Sequence, residues 1–86
     1  MFPYLITFNS NPICLCNKIN IESKLKGMSI HRYHSEYTIH LIDNIGEFYN
    51  SRRVKILYEK ERKTFKYFLD DILIEESSFQ SMLLEM

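Results

Sequence analysis

The stretch RVKILYEKERKTFKYFL, from Arg53 to Leu69, decides whether this chain is built mainly of sheet or of helix. As two antiparallel strands around a tip of Lys60-Glu61-Arg62-Lys63, Val54, Ile56 and Tyr58 stand opposite Leu69, Tyr67 and Phe65. Six apolar residues then share one face, and Arg53 lies across from Asp70. As a helix, Val54, Leu57, Tyr58, Phe65, Phe68, Leu69 and Ile72 fall near three-four spacing, with Glu61 breaking the stripe. The density of β-branched and aromatic residues favours strands. The Glu, Lys and Leu content and the lack of a turn-forming Gly keep the helix as the alternative.

Toward the N-terminus, Phe2, Tyr4, Ile6 and Phe8 alternate with Pro3, Leu5 and Thr7, a strand pattern in which Pro3 suggests an edge. Asn9-Ser10-Asn11-Pro12 is turn chemistry. Ile13, Leu15, Ile19 and Ile21 then alternate with Cys14, Cys16, Lys18, Asn20 and Glu22, so the first two strands form a hairpin. Lys24-Leu25-Lys26-Gly27 breaks the alternation. All three histidines lie in or beside SIHRYHSEYTIHLID, Ser29 to Asp43. A hairpin with its tip at Ser35-Glu36 sets His31 opposite His40 and His34 opposite Tyr37, with Ile30, Tyr37, Ile39 and Leu41 facing inward.

On the C-terminal side, Asp43-Asn44-Ile45-Gly46 is a turn, and a second helix is weighed around Glu47 to Asn50. Ile72-Leu73-Ile74 continues the sheet beyond Asp70-Asp71. Ser77-Ser78-Phe79-Gln80 is a capping-box pattern ahead of Phe79, Met82, Leu83 and Met86, an i, i+3, i+4, i+7 stripe. A helix this short needs docking to persist. The expected fold is α+β: a small antiparallel β-sheet of about five to seven short strands in hairpins, with the amphipathic C-terminal helix packed on one face. At 86 residues the chain, 1–86, is a single domain with one core.

Composition narrows the function classes. The 11 basic and 11 acidic residues cancel, which argues against a surface given over wholly to nucleic acid. The chain has no Ala or Trp and is rich in Ile, Asn, Lys, Tyr and Phe, residues of AT-rich codons, so an AT-rich microbe, virus or mobile element is the expected source, and for an inhibitor a phage or mobile element. Met1-Phe2-Pro3 opens no secretory signal pattern, and no window approaches the roughly 18 apolar residues of a membrane span. A soluble cytoplasmic protein with no membrane contact is the expectation. Cys14 and Cys16 share a strand face at a spacing that strains a disulfide, which points to reduced thiols.

Chemistry is sparse. There is no phosphate-binding Gly loop, HExxH helix, nucleophile elbow or paired CxxC. The His31–His40 pair, with Cys14, Cys16 or an acidic residue, is the alternative zinc site. With Arg32 or a lysine it is the alternative acid–base pair of a ribonuclease toxin. The expectation is no catalytic residue, no metal and no cofactor. The stronger signal is charge. From Ser51 to Lys66, seven basic residues stand against Glu59 and Glu61, a net +5, while Tyr67 to Met86 carries −5. On the second face of the 53–69 hairpin, Arg53, Lys55, Glu59 and Lys66 mix with Leu57 and Phe68.

The candidate binding residues are therefore Arg52, Arg53, Lys55, Leu57, Lys60, Arg62, Lys63, Lys66 and Phe68. The function expected is a small non-enzymatic protein-binding protein, an inhibitor or regulator that occludes the surface of a larger protein. Its partner is a protein, with a homodimer as a further expectation. The alternative is a nucleic-acid-binding module using the basic hairpin 51–66.

Overall fold

A computed structural model of the chain describes residues 3–31, 36–43 and 45–86. Its elements are strands β1 (Tyr4–Phe8) and β2 (Asn11–Cys16), a 3₁₀ turn at Lys18–Asn20, helix α1 (Ile21–His31), strands β3 (Glu36–Ile42), β4 (Phe48–Glu59), β5 (Thr64–Leu69) and β6 (Ile72–Ile74), and helix α2 (Glu76–Glu85). The six strands form one antiparallel sheet in the order β2-β1-β3-β4-β5-β6. The fold is α+β, with the C-terminal helix on one face of the sheet.

The 53–69 stretch is a hairpin. Val54 pairs with Leu69, Ile56 with Tyr67 and Tyr58 with Phe65, and the Asp70 amide donates to the Arg53 carbonyl at 3.1 Å. Lys63 at the tip takes φ 54°, so this loop turns through a left-handed residue without glycine. Both two-residue turns do the same: Asn9 and Ser10 (φ 50° and 66°) close β1–β2, and Asp70 and Asp71 (φ 49° and 68°) close β5–β6. Positive φ at both central positions is the twist that suits a tight hairpin, and Asn and Asp tolerate it best. In the Asp43–Gly46 turn, the Asp43 carboxylate accepts the Ile45 and Glu47 amides, both at 2.9 Å.

Strand alternation divides the sheet into two faces. Tyr4, Ile6, Cys16, Tyr37, Ile39, Leu41, Val54, Ile56 and Tyr67 point to the side on which α1 contributes Ile21 and Leu25 and α2 contributes Phe79, Met82 and Leu83. Both helices cover this inner face. Polar contacts tie the layers together. Lys26 meets Glu22 at 3.2 Å and Glu76 at 3.6 Å, Gln80 donates to Glu22 at 3.2 Å, and the Tyr67 hydroxyl donates to Glu22 at 3.3 Å. Burial alone pulls the Lys26 ammonium down, but its bonds to Tyr67 and Glu22 outweigh this and hold it above its usual value. The Tyr4 hydroxyl donates to the Met86 carbonyl at 3.0 Å, anchoring the last residue on β1.

Several expectations are corrected. Residues 18–31 do not continue a strand. Ile21, Leu25 and Met28 recur at helical spacing, and Ser29 fills the remaining core position by donating its hydroxyl to the Leu25 carbonyl at 2.7 Å. Lys24–Gly27 is therefore helix interior rather than a break. The hairpin joining His31 to His40 is absent: His31 ends α1, and β3 pairs with β1 and β4, setting Leu5 opposite His40. Ile30 is exposed on the helix. Arg32, Tyr33, His34 and Ser35 lie outside the described residues. Glu47–Asn50 is not a helix, because β4 begins at Phe48. β1 is interior. The proline on an edge is Pro12 in β2, opposite Thr7, where its missing N–H costs nothing. Finally, α2 begins at Glu76 with Glu75 as its N-cap and no side-chain cap bond, two residues ahead of the expected Ser77 box.

Candidate functional site

The other face of the sheet has no helix over it among the described residues. It carries Leu15, Leu5, Thr7, Thr38, His40, Phe48, Arg53, Lys55, Leu57, Glu59, Lys66, Phe68 and Leu73, all alternating with inner-face neighbours. Five of the nine expected binding residues meet here: Arg53, Lys55, Leu57, Lys66 and Phe68. Lys60, Arg62 and Lys63 sit on the β4–β5 tip, in exposed positions with no ion pair among the described residues. Arg52 is on the inner side, beside Ser77, Ser78, Ser81 and Glu85 of α2, and does not join the rest.

The cations of the open face are neutralised within the molecule. Arg53 lies between Glu36 of β3 (Nε–Oε1 3.0 Å) and Asp71 of the β5–β6 turn (Nη2–Oδ2 2.8 Å), so one guanidinium ties together three segments. Lys66 pairs with Glu59 at 3.5 Å, and the Lys55 ammonium lies 4.8 Å from the centroid of the Phe68 ring. Arg53 and Lys66 therefore meet three carboxylates between them, and Lys55 meets a ring. The net +5 of residues 51–66 is not concentrated here. Among the described residues Arg52, Lys55 and the tip cations have no carboxylate partner.

At the opposite end of this face His40 is built into a bulge. Ile39 pairs with Arg52 and Leu41 with Tyr49, so Asn50 and Ser51 together oppose His40, with Asn50 at φ 49°. His40 Nδ1 is 2.7 Å from Ser51 Oγ, Nε2 is 3.0 Å from Thr7 Oγ1, and the ring stacks on Phe48 at 4.8 Å. Thr7 is buried. The same distances fit either tautomer: Nδ1–H donates to Ser51 while Nε2 accepts from Thr7, or Ser51 donates to Nδ1 while Nε2–H donates to Thr7. Burial lowers the His40 pKa. The adjoining cleft of about 260 Å³, lined by Thr7, Ser10, Thr38, His40 and Phe48, falls just below the size of ordinary small-ligand pockets.

The remaining chemistry is dispersed. His31 lines a separate cleft on α1 with Ser23, Lys24, Gly27 and Met28, so the expected His31–His40 partnership does not exist. Cys14 and Cys16 are free thiols on the inner side of β2. Burial first, then the neighbouring Cys14, pushes Cys16 up to about 11. No group of three or more His, Cys, Asp or Glu side chains among the described residues converges as metal ligands. No described helix is long and apolar enough to cross a membrane. The sequence missed the part played by Phe48, Leu73, Glu36 and Asp71. The strand period carries Leu73 and Phe68 to one face, but Glu36 and Asp71 reach Arg53 only through the β3–β4 register and a left-handed turn.

Comparison with protein families, with curated proteins and with solved structures gave no match, so the assignment of function rests on this surface.

Proposed function

We propose that this chain is a small protein-binding domain, without enzymatic activity, that lays the open face of its sheet on a larger protein and acts as an inhibitor or regulator by covering it. The observation that carries this reading is the character of that face. Leu57, Phe68, Leu73 and Phe48 are interspersed with charges that already neutralise one another. A surface with apolar anchors amid paired charges is desolvated by a protein at modest cost, whereas a polyanion finds no net field there. The AT-type residue usage links the reading to a phage or mobile element working in a host cytoplasm.

Affinity capture from the native host tests it. Leu57→Ser with Phe68→Ser is expected to lose the captured partner, while Lys60→Ala, Arg62→Ala and Lys63→Ala together retain it. Capture that survives the first pair overturns the assignment to this face.

The exposed tip supports a second reading, nucleic-acid binding through Lys60, Arg62 and Lys63 beside the Tyr58–Phe65 ring pair, whose centroids are 5.0 Å apart. It requires retention on a nucleic-acid column that weakens with salt and disappears in Arg62→Glu with Lys63→Glu. No retention at low salt eliminates it.

A further inference from the structure

We infer that the open face of the sheet is closed by a second copy of this chain, packed face to face about a two-fold axis. This rests on the reading of that face as a protein-binding surface and names its resident occupant.

A two-fold interface brings the same patch together with itself, so the patch must be its own complement. The open face meets this condition in charge. Arg53, Lys55 and Lys66 stand against Glu36, Glu59 and Asp71, and each cation has a carboxylate or ring within 5 Å. Brought against its copy, the face carries no net charge to repel it. The acidic residues Glu75 and Glu76 at the start of α2 and the basic tip both fail the condition, because either one repels itself.

Area gives the second argument. The molecule measures 44 × 23 × 21 Å, so the outline of its broad side bounds the face at roughly 1,000 Å², against ~800 Å² per partner in a standard stable interface. An occupant must therefore cover most of the face, which a copy with the same broad side does. Apolar groups are spread across the sheet to be covered. Leu15 on β2 is 54 % exposed, Phe48 on β4 54 % and Leu73 on β6 59 %, while Leu57 and Phe68 are half-buried between them. A small ligand or single peptide strand would leave most of them in water. Whatever larger protein the domain acts on must then displace the second copy from the same face.

Sedimentation equilibrium on the intact chain tests this at concentrations on the order of 100 μM, where a Kd of about 1 μM leaves mostly dimer. The expected species is a dimer. Leu57→Glu with Phe68→Glu, checked for folding by circular dichroism, is expected to raise its Kd at least roughly tenfold, because both side chains would lie in the interface core. In a mixture of isotope-labelled and unlabelled chains, intermolecular nuclear Overhauser contacts are expected from Leu57, Phe68 and Leu73. A monomeric wild type overturns the inference while leaving the host-capture experiment standing. A dimer untouched by the two Glu substitutions also overturns it. So do species that grow beyond the dimer and dissolve when Lys60, Arg62 and Lys63 become Ala, since those are head-to-tail contacts between the tip and Asp70–Asp71. Capture that also survives Leu57→Ser with Phe68→Ser removes the binding role of the face altogether.

Discussion

The two faces of this sheet use the same residue types for opposite ends. On the inner face aromatic and aliphatic side chains meet two helices and vanish from solvent: Phe79 is 0 % exposed and packs at a tilt on Tyr67, with centroids 4.9 Å apart. On the outer face Phe68 lies under a lysine, and Arg53 is held by two carboxylates. The inner face is where folding free energy is gathered. The outer face holds its charges in place with no helix over them among the described residues. The contrast teaches that a sheet covered on one side exposes a second, pre-ordered surface.

The comparison breaks most visibly with a matched pair of truncations. Phe79→Ala removes a fully buried ring and is expected to cost ~3–5 kcal/mol, enough to unfold much of a domain this small. Phe68→Ala, on the half-buried outer face, is expected to cost well under half of that while weakening association. Chemical denaturation of the two variants side by side checks this, and equal losses contradict it.

Tyr37 sharpens the same contrast. It is buried at 0 % exposure, and its hydroxyl has no hydrogen-bond partner among the described residues. An unpaired buried hydroxyl carries a desolvation penalty of ~1–3 kcal/mol, so Tyr37→Phe is expected to leave the unfolding midpoint unchanged or raise it. A large drop would show that the hydroxyl has a partner.

A smaller gain is expected at Gly27. It is exposed within α1, and an added Cβ meets nothing within 4 Å. Gly27→Ala should stabilise by ~0.5–1 kcal/mol, read from the same denaturation curves. Arg53→Ala should cost less than ~1 kcal/mol, because the guanidinium is about half exposed, and the loss should shrink with added salt.

His40 adds a pH dependence to the outer face. Its folded pKa lies below the ordinary histidine value, so between the two the unfolded chain binds the extra proton. Its contribution is fully present above about pH 6.5, the ordinary imidazole pKa, and declines as the pH falls below it toward the lowered folded value. Urea midpoints at neutral and mildly acid pH should show this decline, and His40→Asn should flatten it. An undiminished slope in that variant places the titration elsewhere.

Much of this was legible in the sequence, and the exceptions have physical causes. The β4–β5 register followed from period-two alternation, because one register alone gathers Val54, Ile56, Tyr58, Phe65, Tyr67 and Leu69 on a single face. The same alternation puts Arg52 and Arg53 on opposite faces, yet the charge count grouped them as one binding set. Helix α1 escaped because Ile13, Leu15, Ile19 and Ile21 imitate a strand running through its start. Ser29, a polar residue satisfying itself on Leu25, also erased one of the helix's apolar marks. The histidine pairing failed with it. The setting of His40 depends on the Asn50–Ser51 bulge, and the neutrality of the outer face on Glu36 and Asp71. Both are fixed by how distant segments align, which local pattern does not encode.

Hydroxyl-radical footprinting across a concentration series measures both faces at once. The account predicts that oxidation of Phe48, Leu57, Phe68 and Leu73 falls as the protein is raised from about 1 to 100 μM, across the expected Kd, while Phe79 and Met82 stay protected throughout. Outer-face labelling that does not change with concentration, or protection that moves instead to the Lys60–Lys63 tip, would contradict it.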